Sequence, residues 1–294
     1  MTNRTKGICC IVASAFGFAL MASFVRLCDD YGPLLSCFQK SFFRNLIAFA
    51  IALGVFLRQR RTDPVAPVFS AADSGASAAS VWGTLIARAT FGTVGIFCNF
   101  YAISYIPVAE AMTLNKTAPF FTVIAAAFVL GERVTKRQLL WLVTAFAGAL
   151  LVIRPGFRGE EALATVIALA GGLCAGLAYA CIRQLGRLKV DFTFIVLFFS
   201  AFSCLVSVPF ICFSYVPMTG AQFAILLGAG SGAALGQFGI TAAYRYAEPR
   251  SIAAFDYTSV IFTAIFGLLF FAQVPDFLSV AGFAVIVLAA VRMR

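Results

Sequence analysis

Histidine is absent from this chain, and aspartate and glutamate together number only 12 among 294 residues. Without imidazole there is no histidine metal set, no serine–histidine relay and no side chain whose ordinary pKa lies near neutrality. Charge of either sign is scarce, at 12% of residues against 62% hydrophobic, with a mean hydropathy of +0.96. So few ionisable groups cannot coat a water-soluble particle of 31.4 kDa, so the chain must be solvated by lipid. A long polar segment able to form a soluble domain is also missing. An enzyme is disfavoured on the same grounds, because no nucleophile–base pair, metal cluster or glycine-rich phosphate loop is present.

Nine cysteines do not make a disulfide framework, since Cys98, Cys174, Cys181, Cys204 and Cys212 all lie inside apolar runs. No metal or cofactor is expected. Cys9 and Cys10 follow Lys6-Gly7-Ile8, which is neither a cleavable small-residue site nor a lipid-attachment site, so the first apolar segment is expected to stay as a helix. The net charge of +10 does not point to nucleic acid, because the basic residues sit in small groups between apolar runs.

Those runs fall at about 7–28, 34–57, 82–104, 108–130, 138–153, 162–182, 192–213, 221–244, 251–271 and 277–291. A membrane-spanning helix needs roughly 20 apolar residues, so the chain reads as an all-α integral membrane protein of ten transmembrane helices. The runs lack the alternation of barrel strands. Residues 58–80, with Pro64 and Pro67, read as the one long loop. If the N-terminus lies inside, fifteen basic residues, from Arg4 and Lys6 through Arg133 and Arg183 to Arg292 and Arg294, fall on the cytoplasmic side. Only Arg26, Arg154 and Arg158 fall opposite, which predicts cytoplasmic termini in a cell membrane, such as a bacterial inner membrane.

Sliding the chain on itself by 141 residues reveals an internal repeat. Gly95 meets Gly236, Tyr105 meets Tyr246, Thr117 meets Thr258 and Phe121-Thr122 meets Phe262-Thr263. Polar breaks coincide too: Asn115 falls on Asp256, Glu132 on Gln273 and Thr135 on Asp276. Two halves, 1–157 and 158–294, each contain five helices. Five is odd, so the second half enters the membrane from the opposite side, and such inverted repeats serve alternating access.

These residues resemble the drug/metabolite transporter superfamily in its EamA-type branch. The resemblance is carried by Phe43-Arg44, by Arg88, and by residues 100–109 from Phe100-Tyr101-Ala102 to Ile106-Pro107-Val108-Ala109. Pro119, Leu130-Gly131-Glu132-Arg133-Val134-Thr135 and Arg154-Pro155 continue it, and Ala243-Tyr244-Arg245-Tyr246-Ala247, Phe255-Asp256-Tyr257-Thr258 and Val274-Pro275-Asp276 repeat the theme. It implies ten helices in two inverted repeats, a central cavity formed by both halves, and helices five and ten at the periphery. Gln273 departs from the pattern, where the family often has glutamate as at Glu132. Members of the superfamily handle amino acids, S-adenosylmethionine, riboflavin, sugar conjugates and drugs.

Six charges fall within spans, where each would be costly against lipid: Lys40, Arg44, Arg88, Lys116, Glu110 and Asp256. Their excess of positive charge favours a small polar cargo bearing a carboxylate or phosphate, amino-acid-like in the simplest reading. S-adenosylmethionine, a nucleotide or a vitamin-type metabolite is the alternative cargo, and a facilitative channel the alternative transport class. Lys40 and Arg44 share one helical face; either they reach the cargo, or Lys40 snorkels outward and Arg44 anchors packing. Arg88, near the start of helix three, is expected to snorkel to the cytoplasmic face.

Lys116 lies two turns into helix four, and Pro119 should kink that helix and free the Asn115 carbonyl. Asp256, equivalent to Asn115, faces it across the pseudo-twofold axis; it either pairs with Lys116 or exchanges a proton as the coupling group. Glu110 is a second coupling candidate, though as a residue opening helix four it also suits the helix N-terminus. The expected cargo site is therefore Arg44, Tyr101, Asn115, Lys116, Asp256 and Tyr257. Tyr105, Tyr179 and Tyr244 are further aromatic candidates, with interfacial anchoring an equal account of Tyr105 and Tyr244. Gly228, Gly232 and Gly236 form small-xxx-small steps suited to close helix packing.

Overall fold

The computed structural model describes residues 2–62, 77–106, 111, 114–153, 162–272 and 274–292, and among these there is no strand. The helices are α1 (Asn3–Asp29), α2 (Cys37–Thr62), α3 (Ala78–Tyr105), α4 (Ala118–Leu130) and α5 (Lys136–Ile153) in the first half. They continue as α6 (Ala162–Arg187), α7 (Phe192–Ser214), α8 (Gly220–Tyr246), α9 (Thr258–Phe271) and α10 (Phe277–Arg292). A helical turn, Pro249–Ile252, and a 3-10 turn, Ala253–Tyr257, lead into α9. Seven segments are long and apolar enough to cross a bilayer unaided: α1, α2, α3, α6, α7, α8 and the composite Pro249–Phe271. Phe128, Leu205, Phe213 and Phe277 stand exposed on the outside of the bundle, an arrangement suited to hydrocarbon.

Polar residues start the helices where the apolar runs begin. Thr2, Ser77 and Asp191 cap the N-termini of α1, α3 and α7, each accepting a backbone N–H three residues on, and Thr219 with Gln222 forms a full capping box on α8. The long loop is shorter than the sequence implies. Arg58 to Thr62 continue α2, and α3 starts at Ala78. Arg60 and Arg61 sit in the last turn of α2, where the helix dipole favours cations, so these charges prolong the helix.

Helix packing is twofold in pattern. α1 packs on α8 as α6 packs on α3, α4 on α6 as α9 on α1, and α2 on α8 as α7 on α3. The α2·α7 and α5·α10 pairs map onto themselves when every helix is exchanged for the one five places on. Close approach at these crossings depends on glycine: a Cβ on Gly17 would lie 2.6 Å from the Gly236 nitrogen and 2.7 Å from the Gly232 oxygen. The Ser14 hydroxyl donates to the Gly236 carbonyl at 2.7 Å, which adds a bond to the same seam. Gly232 and Gly236 therefore serve packing, as the spacing predicts.

The chain makes a break just ahead of α4 and just ahead of α9, at equivalent residues. Thr117 donates its hydroxyl to the Leu114 carbonyl, and Thr258 donates to the Phe255 carbonyl at 2.7 Å, the same bond 141 residues on. Each hydroxyl thereby adds a second donor to a carbonyl that already accepts the N–H of the same threonine, tightening the turn at the break. Pro119 does not kink a continuous helix from within; it sits in the first turn of α4, where a missing N–H costs nothing. No proline marks the break in the second half, where the 3-10 turn Ala253–Tyr257 interrupts an apolar run that reads as continuous helix. Both helices end alike as well, on Gly131 and Ala272 in the left-handed region, at φ 65° and 51°.

Candidate functional site: a charged cavity between two broken helices

The twofold arrangement brings the breaks ahead of α4 and α9 face to face. The Lys116 ammonium reaches across to Asp256 Oδ2 at 3.4 Å and donates to the Ser259 hydroxyl, while the Tyr257 hydroxyl donates to the Lys116 carbonyl at 2.9 Å. The Lys116 carbonyl at the break thus takes its partner from the other half, a tyrosine. Ser259 in turn donates to the Asp256 carbonyl at 2.7 Å, fixing the hydroxyl that faces Lys116.

Beside this clasp lies a cavity of about 760 Å³, lined among others by Arg44, Arg88, Asn99, Asn115, Lys116, Tyr179, Phe199, Gln237, Asp256 and Ser259. It extends to the Asp29 end of α1, where exposed Arg26, Asp30 and Val274 form its mouth. Toward the other end, Tyr179 lies 5.6 Å from Tyr244, whose carbonyl accepts from Arg183 at 3.4 Å. Glu132 Oε1 accepts from Arg183 Nε at 2.9 Å and from Arg187 Nη2 at 2.7 Å. Arg183 also faces Glu248, which pairs with Arg250. The largest apolar cluster, including Ile11, Leu85, Ile182, Ile195 and Ile240, packs at this same end. One end of the cavity is therefore sealed by packing and ion pairs, and the other is open.

Of the predicted cargo-site residues, Arg44, Asn115, Lys116 and Asp256 are brought together on the cavity wall. Tyr257 is not on that wall: it is fully buried and spends its hydroxyl on the clasp. Tyr101 is elsewhere, its ring 4.4 Å from Tyr105 beside a second, lateral cavity of about 540 Å³. Glu110 lies outside the described residues. Tyr105 is exposed, as an interfacial residue would be, but Tyr244 is buried and serves the sealed end.

Two charge assignments change. Lys40 does not snorkel outward, since it is buried and pairs with Asp29 at 2.6 Å. Arg88 does not reach the membrane surface either. It is only 2% exposed, donates from Nη2 to Gln237 Oε1 at 2.9 Å, and places its guanidinium 4.0 Å from the centre of the Phe199 ring. Arg44, 3% exposed, rests against the Met21 sulfur and Asn45. Deep in the cavity three cations thus face a single carboxylate, Asp256, among the described residues.

A model of the EamA-like transporter family matches residues 5–154. The pseudopaline exporter CntI of Pseudomonas aeruginosa is 30% identical over 291 residues, covering 98% of this chain and 95% of that protein. A riboflavin transporter of Brucella anthropi is 27% identical over 219 residues, covering 73% of this chain and 77% of that protein. A crystal structure with 17% sequence identity superposes with a TM-score of 0.76 over 95% of both chains, which shows the fold.

Proposed function

Because this chain belongs to the EamA-like transporter family and is a multi-pass membrane transporter of small metabolites rather than an enzyme, we propose that it carries a carboxylate-bearing, amino-acid-like metabolite by secondary-active alternating access. The observation that supports this is the cavity itself: open at one end, sealed at the other, and lined in its deep part, among the described residues, by the cations Arg44, Arg88 and Lys116 against Asp256. An anionic group on the cargo compensates charges that the protein leaves unbalanced. The halves 1–157 and 158–294 act as the two moving repeats, rocking about the α4–α9 clasp. Arg44 and Lys116 bind the cargo, with Asn115 beside them. Asp256 is the coupling group, exchanging a proton when Lys116 releases it, and Glu110 is a second candidate for that role.

The test is counterflow in proteoliposomes, with cargo chosen from a thermal-shift screen of amino acids, S-adenosylmethionine, nucleotides and flavins. Saturable uptake stimulated by internal cargo identifies a carrier, and flux indifferent to internal cargo identifies a channel. Arg44→Gln and Lys116→Gln are each expected to weaken cargo binding by about 1.5–3 kcal/mol, the value of a lost charged hydrogen bond; unchanged affinity in both rejects the site. Asp256→Asn separates the two coupling schemes. Retained exchange with lost gradient-driven accumulation marks a proton carrier, whereas loss of both activities marks a pairing role.

The same reading places both termini in the cytoplasm of a bacterial cell, so the mouth at Asp29 faces outward. A single cysteine at position 76, made as Ala76→Cys in a Cys-less background, is then labelled only after the cells are permeabilised. Labelling of intact cells reverses the orientation.

A further inference from the structure

We propose that Arg88, together with Arg44 and Gln237, forms a subsite for a doubly negative group at the deep end of the cavity, so that the cargo presents two carboxylates, or one phosphoryl group, there. This rests on the carrier reading above and narrows its substrate class from a single carboxylate to a dianion.

Four observations carry it. First, among the described residues neither guanidinium has a carboxylate partner, whereas Lys40, Lys116, Arg183, Arg187 and Arg250 are each paired. Second, Arg88 is 2% exposed and lines the cavity, so its guanidinium is desolvated beside an open space. Holding a cation in that setting without a counter-charge is costly, and an anion in the cavity offsets the cost. Third, the surroundings make room for the guanidinium. A side chain at Gly92 would strike Arg88 Nη1 and come within 2.7 Å of the Phe199 ring, so glycine one turn on lets the group lie across the helix with one face on Phe199. Fourth, the fold does not require it: 141 residues on, Ala229 occupies the equivalent place in α8, fully buried, and Ala233 matches Gly92. One half fills this position with a methyl group and the other with an unpaired cation.

Gln237 fits the same role. As a neutral acceptor it holds Nη2 in place without cancelling the charge, which a carboxylate at that position would do. Planar guanidinium forks from two helices suit two carboxylates or the oxygens of one phosphoryl group. Lys116, already engaged by Asp256, adds no free charge at this depth.

The experiment uses the purified full-length protein and titrates malonate, glutarate, inorganic phosphate and, as a single-charge control, acetate at constant ionic strength, reading the shift in unfolding temperature. A dianion is expected to stabilise the wild type saturably while acetate does not. Arg88→Gln and Gln237→Glu are each expected to weaken the apparent Kd at least tenfold, with Arg88→Lys between them and wild type. Gln237→Glu supplies an internal counter-ion, so it tests the subsite in a protein that keeps its buried charge paired. A preference for phosphate identifies a phosphoryl site, and a preference for malonate or glutarate identifies a dicarboxylate site. Dianion affinity within twofold of wild type in both Arg88→Gln and Gln237→Glu overturns the inference; if Arg44→Gln or Lys116→Gln weakens binding in the same titration, the carrier reading stands. A wild type stabilised by none of these anions, but by cationic or neutral cargo in the screen, overturns both.

Discussion

In the first half of the molecule the broken helix runs from Lys116 to Gly131 and Glu132; in the second, the equivalent positions are Tyr257, Ala272 and Gln273. The backbones match closely, with the same threonine bond at each break and a left-handed conformation at each end. The side chains do not match. Glu132 gathers Arg183 and Arg187 at the sealed end, and sequence offers only a neutral glutamine at its counterpart. At the clasp, Lys116 contributes its ammonium and its carbonyl, while the other half contributes Asp256, Tyr257 and Ser259. The repeat thus reproduces geometry and divides the chemistry, so that one end is locked by charge and the Lys116–Asp256 pair bridges the centre.

Removing the lock should have the largest effect. Glu132→Ala leaves Arg183, whose side chain is 12% exposed, beside Arg187 with only the more distant Glu248 as counter-ion. Breaking a buried pair of this kind costs about 3–5 kcal/mol. Chemical unfolding of the purified protein checks it, with Gln273→Ala as the matched change, expected to lie within about 0.5 kcal/mol of wild type. Equal losses in the two variants would mean that the asymmetry does not reside in the carboxylate.

The clasp comes next. Asp256→Asn leaves the Lys116 ammonium, its side chain 14% exposed, without its carboxylate, and Lys116→Gln added to it removes the stranded charge. A double-mutant cycle in stability is expected to give a coupling of about 0.5–3 kcal/mol, with the double variant recovering part of the loss. Simple additivity would show that the two residues do not depend on one another.

What the sequence made legible follows from where its signals are local. The 141-residue shift aligned Asn115 with Asp256 because polar breaks in apolar runs are rare enough to register, and inverted packing then followed from counting helices. Arg88 sits deeper than the start of its apolar run implies. The helix actually starts at Ala78, capped by Ser77, so Arg88 lies roughly 15 Å along it, about half the hydrocarbon thickness. The break before α9 carries no proline, because a 3-10 turn closed by backbone N–H groups and by the hydroxyls of Thr258 and Ser259 makes it instead. Tyr101 and Tyr257 failed as cavity residues because a residue type says nothing about which side of a helix faces the partner half.

The symmetric crossings give a smaller contrast. Gly17 in α1 meets backbone atoms of α8 at 2.6–2.7 Å from a built Cβ, whereas Gly171 in α6 meets the Cys98 side chain at 3.0 Å and α3 backbone only at 3.4 Å. Gly17→Ala is therefore expected to cost about 1–3 kcal/mol through overpacking, and Gly171→Ala less, because its nearest atom, the Cys98 Cβ at 3.0 Å, has less overlap to relieve. The same unfolding measurement ranks them, and the reverse order would mean that the α1·α8 seam separates more easily than its counterpart.

The smallest effect concerns the two helix ends. Gly131 and Ala272 both hold positive φ, and each donates its N–H to a carbonyl five residues back, Ala126 and Gly267. For an L-residue that conformation costs roughly 1–2 kcal/mol, because Cβ crowds the backbone, while glycine adopts it freely. No atom lies within 4 Å of a Cβ built on Gly131, so its preference is a matter of backbone conformation alone. Gly131→Ala is thus expected to destabilise by about 1 kcal/mol and Ala272→Gly to stabilise by somewhat less, since glycine gives back part of the gain as unfolded-state entropy. The exchange variant carrying both changes should lie within about 0.5 kcal/mol of wild type if the ends are independent. A loss well beyond that would show that Gly131 is held to its conformation by the Glu132 lock next to it, and that the two halves differ in the stiffness of their turns as well as in charge.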